Sequence, residues 1–330
     1  MKYLLLLLLG LLAITTGANA QQRKSPLAGK VICLDAGHGG TALTDSYRVG
    51  PTGEREEWVN LRVALLLQKL LQEKGATVLM TRTTDDNVPF DDRIKLALEN
   101  KAQVFLSIHH NATADSSVNF PIIYYHGYAS ENTASVALAK HIAKALRKQH
   151  YQAKVPVSIV SDHAIFPTAG AKVLRGTYGI PAVIAEASFF THAPEEERLK
   201  KPDYNGQEAK AYVAALEDFF RKPAPVILPK NSLFTVPPFP VFQEAERMGK
   251  IAKGWHKDYT QALQLMKHKK DTMALRQAYD LFTRSVKSFP DSYVAGDCHR
   301  RRAKLLQALG KKPEAKLEAI RAKEFYVRKK

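Results

Sequence analysis

Lys30-Val31-Ile32-Cys33-Leu34-Asp35-Ala36-Gly37-His38-Gly39-Gly40 is a short apolar run that breaks into a glycine-rich turn carrying one imidazole. The run reads as a buried strand, and the glycines let the backbone turn sharply while keeping the space before His38 open. Two later segments repeat the arrangement: Ser107-Ile108-His109-His110-Asn111 and Pro181-Ala182-Val183-Ile184-Ala185-Glu186. Each ends an apolar run, and the C-terminal ends of buried strands are where open α/β sheets carry their chemistry. Between the first two lies an acidic cluster, Glu54-Arg55-Glu56-Glu57. Two His and one Glu form a three-ligand set that leaves a fourth zinc position for water, as hydrolytic rather than structural sites do. Glu186 offers a further carboxylate to run such a site.

Outward from these segments, strand and helix patterns alternate. Strands are expected at Val31–Leu34, Ala76–Thr81, Val104–Ile108, Ile122–Tyr125 and Ala182–Ala187. Helices are expected at Glu57–Lys74, Asp91–Asn100, Glu131–Gln149 and Gln207–Arg221. This order predicts an α/β fold, an open and mostly parallel sheet flanked by helices. In the first helix Trp58, Leu61, Leu65, Leu66, Leu67, Leu70 and Leu71 recur at three- and four-residue steps, an apolar stripe expected to pack on the sheet. Glu56 then stands at the helix start, where the helix field favours an anion.

The N-terminus reads differently. Met1-Lys2-Tyr3 is a short positive start, Leu4 to Ile14 is almost wholly apolar, and Ala18-Asn19-Ala20 is a small-x-small cleavage site. Residues 1–20 are expected to be a secretory signal peptide, with the mature chain starting at Gln21 in the periplasm or outside the cell. The apolar run is shorter than the roughly 20 residues that span a bilayer, so no transmembrane anchor is expected after cleavage. Two cysteines, Cys33 and Cys298, are too few for a disulfide framework, and a buried free thiol is the expected state of Cys33.

Between Pro223 and Pro240 stand six prolines, which exclude helix and mark a linker or a strap. The chain therefore divides into residues 27–222, a linker at 223–240 and a second, smaller all-α domain at 241–330. In that last part Ala278, Phe282, Ser285 and Pro290 fall at the spacing of the second helix of a tetratricopeptide repeat, weakly echoed by Gly310, Ala315, Ala319 and Ala322. The formal net charge is +17, and the excess lies mostly in this tail, with 23 Lys and Arg against 10 Asp and Glu from Ala224 onward. A basic exported surface favours polyanions: cell-wall carboxylates and phosphates, anionic lipid or nucleic acid. An anionic wall polymer or a protein partner is expected for this tail, and nucleic acid is not. The tail is expected to be a separate module that recruits the rest of the chain to such a partner.

Taken singly, a His in a glycine-rich turn is an ordinary surface residue, and a buried Glu186 could pair with Arg93 or Arg175. Together, the segments resemble the zinc-dependent N-acetylmuramoyl-L-alanine amidases of the amidase-3 type over about Gly29 to Phe220. Asp35-Ala36-Gly37-His38-Gly39-Gly40 is similar to the family's Asp-Pro-Gly-His-Gly-Gly, and Ser107-Ile108-His109-His110-Asn111-Ala112 to its Ser-Ile-His-x-Asn-Ala. Val78 to Arg82, Asp86 and Arg93 match its strand, Thr-Arg, Asp and Arg positions. The resemblance implies that His38, Glu56 and His109 hold one Zn2+ per chain; Glu56 is preferred to Glu54 because it stands five residues before Leu61. It also implies that Glu186 is the catalytic carboxylate, and that the bond cut joins N-acetylmuramic acid to L-alanine of peptidoglycan. Ser188-Phe189-Phe190-Thr191-His192, Leu98 and Gln103 depart from the family pattern without removing a ligand. Two other readings remain at this stage: a different zinc peptidase or carboxypeptidase, or a non-catalytic wall-binding adaptor.

Overall fold

The computed structural model describes residues 25–44, 48–231, 235–268 and 270–328. The expected signal peptide lies outside the described residues. No helix among the described residues is long and apolar enough to cross a membrane.

Six strands, β1 (Val31–Ala36), β2 (Thr77–Met80), β3 (Val104–Asn111), β4 (Ile122–Tyr125), β5 (Ser158–Ser161) and β6 (Ala182–Phe189), form one sheet in the order β2-β1-β3-β6-β4-β5. The pairs β1–β2, β1–β3 and β3–β6 are parallel, β4 runs antiparallel to β6, and β5 follows β4 in parallel. The sheet is thus open and mostly parallel, as the alternating pattern predicts. β4 and β5 end at the edge opposite to where β1, β3 and β6 end.

The helices before the proline-rich stretch are α1 (Glu56–Glu73), α2 (Phe90–Glu99), α3 (Thr133–Ala145), α4 (Lys172–Gly176), α5 (Ala193–Leu199) and α6 (Pro202–Phe220). α1, α3 and α6 cover one sheet face in a core built from Leu34, Leu67, Leu106, Ile142, Val183 and Leu216 among others. The core face of α1 is Val59, Val63, Ala64, Leu67 and Leu71, and Trp58 and Leu65 are more than a third exposed. The stripe expected from sequence is therefore rotated. A helix apolar on nearly all sides does not fix its own phase; packing on the sheet and α6 does. Trp58 instead donates from Nε1 to Asp85 Oδ2 at 3.1 Å. β5 and α5 were not anticipated, and β3 runs three residues beyond its expected end, so that His109 lies within the strand.

The other sheet face carries the largest difference from expectation. Beyond the prolines run α7 (Glu244–Arg247), α8 (Lys250–Lys253), α9 (Trp255–Leu265), α10 (Thr272–Ser288), α11 (Ala295–Ala308) and α12 (Lys312–Glu324). The region is helical as expected, but it does not stand apart. Trp255, Phe282, Phe289 and Cys298 share one core with Cys33, Phe105, Ile122, Tyr124 and Phe189 of the sheet domain. Phe289 packs against Phe120 and Phe189 at centroid distances of 6.0 and 6.2 Å. Backbone bonds close the seam: Ser161 N–H donates to the Phe325 carbonyl at 2.8 Å, Val327 N–H to that of Ile159 at 3.0 Å, and Tyr326 bridges Val160. The physical reason is exposure. Without these helices the β4–β5 half of the face would leave large apolar side chains in water. Cys33 and Cys298 are both buried free thiols, pushed up to about 12 chiefly by burial.

One buried carboxylate ties several elements together. Glu195 accepts from Asn119 Nδ2 at 3.0 Å and Tyr204 Oη at 2.9 Å, and it pairs with Arg198. Burial opposes its ionisation, but His150, 3.6 Å away, and Arg198 outweigh burial and hold it at about 2. Its folded pKa is below the unfolded value, so its contribution is full above about pH 4.5 and lost as pH falls towards 2. Glu195→Gln is expected to cost about 2–3 kcal/mol at neutral pH, allowing for the partial exposure of Arg198, and to flatten the loss of stability between about pH 5 and 2. Urea unfolding across that range checks this; parallel curves for the variant and the parent would contradict it.

Candidate metal centre

Three elements bring the site together. The turn after β1 carries His38, the first residue of α1 is Glu56, and β3 carries His109. His38 Nε2 lies 3.1 Å from Glu56 Oε1, and His109 Nδ1 lies 2.9 Å from the same oxygen. The two imidazoles meet edge to face with centroids 4.7 Å apart. Tetrahedral zinc with bonds of about 2.0–2.1 Å requires donor atoms roughly 3.3 Å apart; the two separations to Glu56 are within a few tenths of that, and all three donor atoms lie within 4.8 Å of one another. Burial lowers the His38 pKa against the opposing pull of Glu56, and the two imidazoles hold the Glu56 carboxyl well below its usual range despite burial. Neutral imidazole and ionised carboxylate are the forms that bind a metal. Glu54 is engaged elsewhere, with Arg62 Nη2 at 2.7 Å, and Glu57 accepts from Arg55 Nε at 2.6 Å. Of the acidic cluster only Glu56 faces the imidazoles.

The glycine-rich turn is held by two arginines. Arg93 Nη1 donates to Asp35 Oδ1 at 2.7 Å and Nη2 to the His38 carbonyl at 2.7 Å, while Arg82 donates to the carbonyls of Ala36, Gly37 and Glu57. Thr81 and Ser107 complete the coordination of Asp35. His38 sits at φ 61°, in the left-handed region, and this fixed turn is what points its ring inwards. Gly37 has no room for a side chain: a Cβ there would lie 2.2 Å from His109 Nε2.

A second layer orients Glu56. Asn60 Nδ2 donates to Glu56 Oε1 and to the Gly37 carbonyl, both at 3.2 Å, and the His110 N–H reaches the same Glu56 oxygen at 3.3 Å. His110 in turn spans Asn60 Oδ1 at 2.9 Å and Glu208 Oε2 at 3.0 Å. Burial works against its protonated form, but Glu208 raises its pKa overall. Sequence reasoning missed Asn60, His110 and Glu208. The one available signal was Asn60, a polar residue one turn after Glu56 in a helix otherwise read by its leucines.

Glu186 pairs in register with His109 across β3 and β6, so the two side chains emerge side by side on one face, on strands about 4.8 Å apart. Neither arginine weighed as its partner holds it. Arg93 is engaged with Asp35, and Arg175 donates to the Ala169 and Gly170 carbonyls. Its Oε2 is buried and accepts no hydrogen bond among the described residues. Burial, and then the charge of Glu56, hold its carboxyl well above the usual range. A buried carboxylate oxygen beside a metal-type donor set, with no protein donor, has the position of a base that receives a proton from a bound water. The C-terminal helices reach this neighbourhood too: buried Asp291 accepts from Tyr124 Oη and adds negative charge towards Glu186.

A second donor group, His126, Asp162 and His163, gathers where β4 and β5 end, at the opposite edge of the sheet. There His126 Nδ1 meets Asp162 Oδ2 at 2.8 Å, while Lys230 Nζ sits 2.7 Å from His126 Nε2. Asp162 Oδ2 also accepts from the Ala171 N–H at 2.8 Å, so this group is already engaged as a hydrogen-bond network. The chemistry therefore belongs to the first group.

Residues 32–218 match the family model Amidase_3, described as N-acetylmuramoyl-L-alanine amidase. The N-acetylmuramoyl-L-alanine amidase LytC of Bacillus subtilis (strain 168) is 30% identical over 202 residues, which are 61% of this chain and 38% of LytC. The N-acetylmuramoyl-L-alanine amidase AmiA of Escherichia coli (strain K12) is 28% identical over 225 residues, 57% of this chain and 75% of AmiA. Among solved structures, an N-acetylmuramoyl-L-alanine amidase from Clostridium difficile 630 superposes with a TM-score of 0.52 at 25% identity, covering 59% of this chain and 99% of that one. The chain thus spans little more than a third of LytC. The family match ends at residue 218, before the C-terminal helices.

Proposed function

The chain belongs to the N-acetylmuramoyl-L-alanine amidase family, and from that premise we propose that it is a zinc-dependent peptidoglycan hydrolase. It cleaves the amide between N-acetylmuramic acid and L-alanine, in cell-wall remodelling or daughter-cell separation. The observation that carries this reading is the convergence of His38 Nε2 and His109 Nδ1 on Glu56 Oε1 beside the unpartnered Glu186. Bound by His38, Glu56 and His109, a zinc ion supplies Lewis acidity to the amide carbonyl and to the attacking water. Glu186 takes the proton of that water and returns it to the departing amine nitrogen. Asn60 and the His110 N–H keep the Glu56 carboxylate turned towards the imidazoles, and Arg93 fixes the His38 turn.

The wider assignment follows. Residues 1–20 direct export, so the enzyme works in the periplasm or outside the cell. Residues 27–222 form the catalytic part, 223–240 a proline-rich strap, and 241–330 a tetratricopeptide-like helical part whose basic surface engages an anionic wall polymer or an acidic protein partner.

His38→Ala and His109→Ala are each expected to abolish stoichiometric zinc by elemental analysis while leaving the circular dichroism spectrum intact. Full zinc retention by both would remove the ligand assignment. Digestion of purified sacculi separates the alternatives by product. An amidase releases free stem peptides and no new sugar reducing ends, a carboxypeptidase releases single amino acids, and an adaptor releases nothing.

A further inference from the structure

The groove where the C-terminal helices meet α3 lies away from the metal centre and takes no part in the chemistry above. It encloses about 1180 Å³ between α3, α11 and α12. Its floor is made of small apolar side chains: Val136 and Ala137 on α3, Ala303 on α11, and Ala315, Ala319 and Ala322 on α12. Its rims carry ammonium groups: Lys140 on α3, Lys304 on α11, and Lys312 and Lys316 on α12. All four are exposed, and among the described residues none has a carboxylate within ion-pair distance. Glu324, the one carboxylate in the lining, is buried and accepts from the Ser130 N–H at 3.0 Å. It also pairs with Lys323 Nζ at 3.4 Å and so offsets that one lysine, leaving the charges of Lys140, Lys304, Lys312 and Lys316 uncompensated.

Like charges lining a concavity with low-dielectric walls focus a positive potential into it, which draws anions. An alanine floor, by contrast, gains only from apolar side chains set down on it. A wall glycan supplies charge but few apolar side chains, and a lipid surface is too flat to enter the concavity. A peptide with carboxylates on its flanks and apolar residues on one face satisfies both. With a helix diameter of about 10–12 Å and a rise of 1.5 Å per residue, the volume holds roughly two turns.

We propose that this groove binds an acidic amphipathic segment of a partner protein, its apolar face on the alanine floor and its Asp and Glu side chains against the lysine rims. The proposal deepens the partner role assigned to the C-terminal helices and rests on that reading.

The test is selection of random 12-residue peptides, displayed on phage, against the full chain from Gln21. Enriched peptides are expected to be acidic and to carry apolar residues at three- and four-residue spacing. A synthetic copy of the leading peptide should bind at least tenfold more weakly to the Lys304→Glu/Lys316→Glu variant. It should weaken as much with Ala319→Trp, which fills the floor without changing charge. All three positions are exposed, so thermal unfolding and cleavage of a small soluble muropeptide, which needs no recruitment through the basic surface, should match the parent. Failure to enrich acidic peptides overturns the proposal. So does a peptide that responds to charge reversal but binds Ala319→Trp undiminished, because that is adsorption to a basic surface. A parent chain that binds the acidic peptide but releases no stem peptides from sacculi would instead count against the amidase reading and leave the groove standing.

Discussion

Glu186→Gln is expected to reduce hydrolysis of sacculi by at least about a thousandfold while leaving zinc content unchanged. The substitution keeps the size and the acceptor oxygen of the side chain but cannot take up the proton of the attacking water, and positioned general bases contribute about 10²–10⁴-fold. Two features of the site push the expectation to the upper part of that range. Among the described residues no arginine or lysine pairs with Glu186, and its Oε2 is buried with no protein donor. Among the described residues the nearest titratable candidate is already engaged. His110, whose charge also reaches Glu186, is locked between Asn60 and Glu208. The variant should release no free stem peptides at enzyme concentrations where the parent digests to completion. Turnover within tenfold of the parent would exclude Glu186 from proton transfer, and loss of zinc would recast it as a structural support of the centre.

Removal of residues 241–330 is expected to destroy the fold rather than to detach a module. The sequence alone favoured the opposite outcome, because the proline-rich stretch reads as a boundary. In the structure the cut would uncover Phe120, Ile122, Tyr124 and Phe189, which share a core with Trp255, Phe282 and Phe289. It would also remove the acceptors of the Tyr125 hydroxyl and the Ser161 N–H. Each large apolar side chain returned to water costs about 1.5–3 kcal/mol, so a few of them exceed the net stability of about 5–15 kcal/mol that a domain has. The truncated chain should be insoluble, or should lose its cooperative thermal transition. A graded version is Phe289→Ala, expected to cost about 3–5 kcal/mol through the cavity left between Phe120, Phe189 and Trp255. A truncated protein that melts like the parent and still digests sacculi would return the helices to the status of an appendage.

Particular residues explain what could be read from sequence. Val31 to Leu34 and Val104 to Ile108 announced themselves because central strands buried on both faces are continuous apolar runs bounded by turn residues. Ser158-Ile159-Val160-Ser161 did not, since a four-residue edge strand with serines at both ends has too little pattern to stand out. The phase of α1 was unreadable for the reverse reason, an excess of leucines. In the site, His38, His109 and Glu186 drew notice because each ends an apolar run. Asn60, His110 and Glu208 could not, because their meaning lies in proximity across 50 and 98 residues of chain. The shared core of the C-terminal helices was hidden likewise. Phe289 and Trp255 are ordinary helix-packing residues until the sheet face they cover is known.

The seam at β5 has a consequence for the order of events in the life of the chain. The hydroxyl of Tyr125 finds its acceptor at Glu324, 199 residues later, and the edge of β5 not paired with β4 acquires its backbone partners only from Phe325 to Val327. At about 5–20 residues per second, synthesis of that interval takes roughly 10–40 s, during which the outer edge of β5 stays unpaired. Native structure on that side waits for nearly the last described residues to emerge. If the chain is exported as proposed, it gains from such a delay, because a segment that cannot yet fold remains threadable. The same delay leaves an unpaired strand edge open to intermolecular pairing, and crowding or slow translocation would penalise it there first.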